Sequence, residues 1–150
     1  MSLSTRILPD HHRHCDDLFV AAEDSVQSGD WTAAAPAFAR FRDQMQAHFE
    51  AEEGLLFPAF EAATGMSAGP TRMMRHEHDQ MRGLLAQLAA ACDARDSQGY
   101  GGAAETLLML MQQHNMKEEN ILYPMCDQSL GDEAERLGAK LDAMLEKGHA

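Results

Sequence analysis

The chain states one phrase twice. HFEAEEGLLFP occupies residues 48–58 and HNMKEENILYP occupies residues 114–124. The offset of 66 residues (114 − 48) holds without a gap and carries His48 onto His114, Glu52 and Glu53 onto Glu118 and Glu119, Leu56 onto Leu122, and Pro58 onto Pro124. It also sets His78 on His12, Met81 on Cys15, Leu107 on Phe41, Met111 on Met45 and Asp96 on Asp30. A duplicated unit most economically packs against its own copy. The chain therefore reads as a single domain over 1–150 with an internal repeat, 8–64 and 74–130.

The repeated unit is helical. β-Branched residues are few, no apolar-polar alternation is sustained, and Ala, Leu, Met, Gln and Glu abound. Helix one is expected from about Asp10 to Ser28, stopped by Gly29. Helix two is capped by Asp30 and reaches about Ala63, with a kink near Gly54 because Pro58 lacks a donor. Helix three runs from about Thr71 to Ala94, and Asp96 to Gly99 forms the next turn. Helix four spans about Tyr100 to Gln128, and a last helix after Gly131 reaches about Lys147 and covers one end. The expected fold is all-α, an up-and-down four-helix bundle with a short C-terminal fifth helix.

Bulk properties narrow the function. A chain of 150 residues with 45% apolar content can bury a core without disulfides. Acidic residues outnumber basic ones 24 to 12, a net charge of −12 that argues against nucleic acid and anionic membranes as partners. No apolar run of membrane-spanning length and no charged-then-apolar leader is present, so export is not expected. Cys15, Cys92 and Cys126 have no zinc-type spacing and read as buried thiols of a reduced, cytoplasmic protein.

Periodicity sorts the eight histidines. One seam of helix two reads Phe38, Phe41, Met45, His48, Glu52, Leu55, and its counterpart reads Ala104, Leu107, Met111, His114, Glu118, Ile121. Helix three gives Met74, His78, Met81, Leu85, Leu88, Cys92, and helix one gives Leu8, His12, Cys15, Phe19, Ala22, Val26. Each seam carries one histidine, and two also carry a glutamate one turn on. An ionised glutamate on an apolar seam costs several kcal/mol unless it is paired or bound to a cation. Two of them, in register with four imidazoles, point to metal. His11 lies only about 100° from His12 and stays an alternative first-helix ligand. His14 and His76 should face out, and His149 falls in a terminal tail. Glu53 and Glu119 are expected to face a neighbouring helix or solvent, with a hydrogen bond behind the ligands as the alternative. The seam methionines are expected to pack the core around the site.

Imidazole and carboxylate without thiolate suit neither a closed tetrahedral zinc site nor an all-oxygen calcium or magnesium site. They suit first-row ions such as iron or manganese, two of them bridged by the carboxylates. Ferritin-like bundles place the carboxylate before the histidine, as Glu-x-x-His, whereas here His-x-x-x-Glu occurs twice.

With His12, His48 and Glu52, His78, and His114 and Glu118, in the contexts HFEAEE-LLFP and HNMKEE-ILYP, nearly the whole chain resembles the hemerythrin-like HHE cation-binding domains. The resemblance implies two iron ions joined by the two glutamates and an oxo or hydroxo bridge, with an open position for dioxygen, nitric oxide or peroxide. Manganese or zinc would be the substitutes. Oxygen-carrying hemerythrins have a fifth histidine one turn from the third-helix ligand, where this chain has Met74 and Arg82. One iron should therefore have fewer protein ligands, which favours sensing, iron handling or redox chemistry over simple oxygen transport. The implied function is a non-heme di-iron protein that binds or senses dioxygen or a related small ligand, or handles iron. The alternatives are a di-iron peroxidase or nitric oxide-consuming enzyme, in which His11 or Arg82 would be the acid–base group, and a metal-stabilised interaction module.

Overall fold

The computed structural model describes the backbone of residues 6–149 and the side chains of residues 6–146, which leaves the side chain of His149 outside the described ones. Helix α1 (Leu8–Gln27) is followed by α2 (Trp31–Ala51), a π-helical turn (Glu52–Leu56) and α3 (Phe57–Thr64). The second hairpin repeats that order with α4 (Pro70–Ala94), α5 (Ser97–Lys117), a second π turn (Glu118–Leu122) and α6 (Tyr123–Leu130). Helix α7 (Glu133–His149) closes the chain. Helix α1 packs on α2 and α4 on α5, and contacts of α1 with α5 and of α2 with α4 complete an up-and-down four-helix bundle.

Local chemistry sets the helix ends. The Asp30 carboxylate accepts from the Ala33 N–H at 3.1 Å, and Asp96 accepts from Gly99 N–H at 2.9 Å. Asp96 is thus an N-cap, and α5 begins at Ser97, earlier than the expected Tyr100. A cap worth about 1 kcal/mol offsets the roughly 1 kcal/mol that a glycine in the first turn costs. Gly29 and Gly65 stop α1 and α3 at φ 74° and 73°, a conformation without penalty for glycine.

Where a kink was expected, each hairpin has a π turn. Pro58 and Pro124 offer no N–H to the preceding turn, and the chain widens by one residue. Phe57 N–H reaches back to the carbonyl of Glu52, and Tyr123 N–H reaches back to that of Glu118. The extra residue rotates everything downstream by about 100°. This corrects the ends of two seams: Leu56 and Leu122 are buried, whereas Leu55 is half-buried and Ile121 is 56% exposed.

The interior is layered along the bundle axis. One apolar layer contains Phe19, Phe38, Phe41, Met45, Met81, Leu85, Leu107 and Met111. The other contains Leu8, Leu56, Phe57, Phe60, Met74, Leu122, Tyr123 and Cys126. Helix α7 contributes Ala134, Leu141 and Leu145 to this second layer and runs against α2. Between the layers lies a belt of buried polar side chains. Among the described residues, no helix is long and apolar enough to cross a membrane.

Candidate metal centre

The belt gathers all six residues that the seams single out. His12 on α1, His48 on α2, His78 on α4 and His114 on α5 are each 5% exposed or less, and Glu52 and Glu118 are fully enclosed. Each glutamate opens a π turn directly after the helix that carries its histidine partner. Ligand atoms of Glu52, His78, His114 and Glu118 all lie within 4.8 Å of one another, and so do those of His12, His48 and Glu118. Glu118 belongs to both groups. His12 Nε2 is 3.0 Å from Glu118 Oε1, and His78 Nε2 is 3.0 Å from Glu52 Oε1. His48 Nε2 lies 3.6 Å from Glu52 Oε2. His12, rather than His11, therefore turns its ring toward the carboxylates.

Every one of the four imidazoles is held from behind through Nδ1. Glu119 binds that of His12 at 2.7 Å, Glu53 that of His78 at 2.6 Å, and Glu77 that of His114 at 2.8 Å. His48 Nδ1 is 2.8 Å from His11 Nδ1, and His11 Nε2 donates to Gln44 Oε1 at 2.9 Å. With its own proton committed to Gln44, His11 accepts at Nδ1, so His48 donates there and its Nε2 is left bare toward the centre. Such outer partners fix both tautomer and ring orientation, the usual support of a metal-binding histidine. Glu53 and Glu119 thus sit behind the imidazoles rather than in open solvent, each crossing to the histidine of the other hairpin.

The electrostatics of the metal-free belt follow from this pairing. Burial disfavours the charged ring, yet hydrogen bonds from Glu118 and Glu119 lift His12 from 6.5 to about 9. Glu52 and Glu53 do the same for His78, also to about 9, and Glu118 raises His114. His48, without a carboxylate behind it, is pushed down by burial, which Glu52 only partly opposes. Burial also works against ionised Glu52, but His48, Glu118 and His78 hold its carboxyl well below the ordinary range. Glu53 falls to about 2 because His78 and Arg82 outweigh its burial. Protons on His12 and His78 thus stand where cations would.

A cation fits this donor set. One enclosed atom at the centre, Glu118 Oε2, has no hydrogen-bond partner, and His114 Nε2 meets only Glu118 Oε1 at 3.2 Å, without hydrogen-bond geometry; a buried orphan of this kind costs about 1–3 kcal/mol. Four inward nitrogens and two carboxylates would relieve that cost by binding metal, and the supporting contacts behind them are already made. Beside the belt lies a cavity of about 10 Å³ lined by Cys15, Met45, Phe49, Met81, Met111 and Asn115 together with His12, His48 and His114. That is room for one molecule of about the size of water.

The Hemerythrin HHE cation binding domain model matches residues 3–126 of this chain. The chain belongs to the hemerythrin HHE cation-binding family. The family's metal-binding character agrees with the buried histidine–glutamate belt. The chain is also 34% identical, over 92 residues, to the "Iron-sulfur cluster repair protein YtfE" of Musicola paradisiaca (strain Ech703). That match takes in 55% of this chain and 41% of the relative, so the chain spans well under half the length of that protein. No solved structure matches the chain.

Two of the family-related expectations concern helix three. Met74 is buried in the second apolar layer, and Arg82 ion-pairs with Glu53 at 3.0 Å while its guanidinium lies 5.1 Å from the Phe49 ring centroid. Neither enters the groups of potential ligand atoms among the described residues. Sequence reasoning missed three participants: Glu77, Gln44 and Tyr123. The 66-residue offset could have found the first, because it places Glu77 on His11. Tyr123 stands on Phe57 in the same way, and its hydroxyl donates to Glu52 Oε2 at 2.6 Å and lies 2.9 Å from Glu118 Oε1.

Proposed function

We propose that this chain holds two iron ions between its four helices and uses them to bind or sense dioxygen or a related small ligand such as nitric oxide or peroxide. What carries this reading is the shared geometry of His12, His48, His78 and His114: Nδ1 tethered outward and Nε2 turned toward two enclosed carboxylates. An iron pair would supply reversible electron transfer and a coordination position for a small ligand. The chain's own residues do the rest. Glu52 and Glu118 would bridge, the four imidazoles would hold the ions, and the outer glutamates would raise the basicity of three of them. Cys15, Phe49 and the three methionines give the adjoining cavity a largely apolar wall, and its size admits one molecule of about the size of water or a diatomic.

Iron handling is a second use of the same centre, favoured by the likeness to a protein named for iron–sulfur cluster repair. An enzymatic use needs a proton donor at the cavity. His11 is engaged by His48 and Gln44, Arg82 is engaged by Glu53 and Asp79, and neither lines that space. The three free cysteines suit a reducing, cytoplasmic setting.

The test is metal analysis of anaerobically prepared protein together with optical spectra before and after air. Two irons per chain and a new oxygen-dependent absorption are expected. A colourless protein that takes up no iron under these conditions would overturn the reading. Zinc or nickel supporting all behaviour equally well would favour a structural metal instead.

A further inference from the structure

We propose that the phenolic oxygen of Tyr123 is itself a metal ligand, a seventh protein side chain that completes the His12/His48 half of the centre. This rests on the iron-binding reading above. The hydroxyl is enclosed and lies 2.6 Å from Glu52 Oε2, 2.9 Å from Glu118 Oε1, 3.2 Å from His12 Nε2 and 3.5 Å from His48 Nε2. Donor atoms bound side by side to one ion at roughly 2.1 Å stand about 3 Å apart. The four neighbours of this oxygen are therefore spaced as the edges of one coordination shell. All four belong to residues that the seams single out, and neither imidazole of the His78/His114 half is among them.

Hydrogen bonding satisfies this placement less completely than a cation would. A phenol has one proton, which two carboxylate oxygens can only share in a weakened three-centre bond. A cation in the same position satisfies the phenolate, both carboxylates and both imidazoles together. On binding, the metal–oxygen bond forms, the O–H bond breaks and the proton leaves to solvent with those displaced from the imidazoles; no electron moves in that step.

The repeat provides an internal control. Tyr123 stacks on His12 with ring centroids 5.8 Å apart at 22°, and Phe57 stacks on His78 at 5.7 Å and 23°. The two rings occupy equivalent places, and only the hydroxyl differs. One half then has a phenolate in addition to two imidazoles and shared carboxylates. The other half lacks it.

Resonance Raman spectroscopy of the iron-loaded, oxidised protein tests this directly. The wild type should show a visible absorption band whose Raman spectrum contains tyrosine ring modes, and these should shift when ring-deuterated tyrosine is incorporated. The band should vanish in Tyr123→Phe at unchanged iron content and survive in Tyr100→Phe, which alters the other tyrosine, packed against Phe38. It should return when Phe57→Tyr is added to Tyr123→Phe. Iron uptake without label-sensitive tyrosine modes in the wild type would overturn this inference alone. Failure to take up iron would bring down both this and the reading it rests on. The label experiment needs no substitution, so a folding defect in a variant cannot decide the outcome.

Discussion

The two halves of the centre are copies that have stopped being identical. His12 and His78 correspond, and so do His48 and His114, Glu52 and Glu118, and Glu53 and Glu119. Their contacts correspond too, since Glu119 backs His12 as Glu53 backs His78. The copies part at 11 and 77, where a histidine faces a glutamate, and at 57 and 123, where a phenylalanine faces a tyrosine. Glu77 backs His114 with a charged carboxylate, whereas His48 is backed by the imidazole of His11 and burial pushes its affinity for a proton down. Duplication thus built the frame, and single substitutions within it made one half unlike the other.

The largest effect should come from the carboxylates both halves share. Glu118→Ala should reduce bound metal from two ions per chain to almost none by metal analysis, and Glu52→Ala, whose oxygens lie 3.0 Å from His78 Nε2 and 3.6 Å from His48 Nε2, should do nearly as much. One ion retained in Glu52→Ala would show that the His12/His48 half loads without that bridge.

Next is a pH effect confined to the metal-free protein. His12 and His78 have folded-state values near 9 against 6.5 when unfolded. Their contribution is fully present below about pH 6.5 and is lost as pH rises through 9, at up to about 3 kcal/mol each. Melting temperature of the metal-free protein should fall across that window, while the loaded protein, whose imidazoles hold metal instead of protons, should change much less. A flat profile for the metal-free form would show that these two rings are neutral.

The outer shell should yield a smaller and unequal response. Glu77→Ala should weaken metal binding by roughly 10–100-fold, the usual cost of removing such a partner. His11→Ala, which removes an imidazole rather than a carboxylate, should cost less in affinity by competition titration. The smallest change is expected from Pro58→Ala, at an exposed position after the first π turn. It should move stability by about 1 kcal/mol or less and leave metal content intact. A larger loss would mean that the proline, rather than the packing around Leu56, holds the widened turn.

Much of this was legible before any coordinates. Four seams at helical spacing pointed to the bundle, and two charged residues on apolar seams marked the belt. What escaped has physical causes. A π turn adds one residue that no 3.6-residue period anticipates, so Leu55 and Ile121 were expected where Leu56 and Leu122 lie. Tyr123 falls on the seam only after that shift. Glu77 sits on the flank of its helix, where a carboxylate is ordinarily just a solvated charge. Its role depends on the distance to an imidazole on another helix, which periodicity along one helix does not report.

A belt of donors held between two apolar layers is sealed end-on but not sideways, because His12 also borders a surface hollow of about 320 Å³ with Asp16, Asn115 and Glu119. The short way in or out for an ion therefore runs past His12, where acidic side chains draw cations toward the mouth. Loading and loss should accordingly answer to the charge of that doorway.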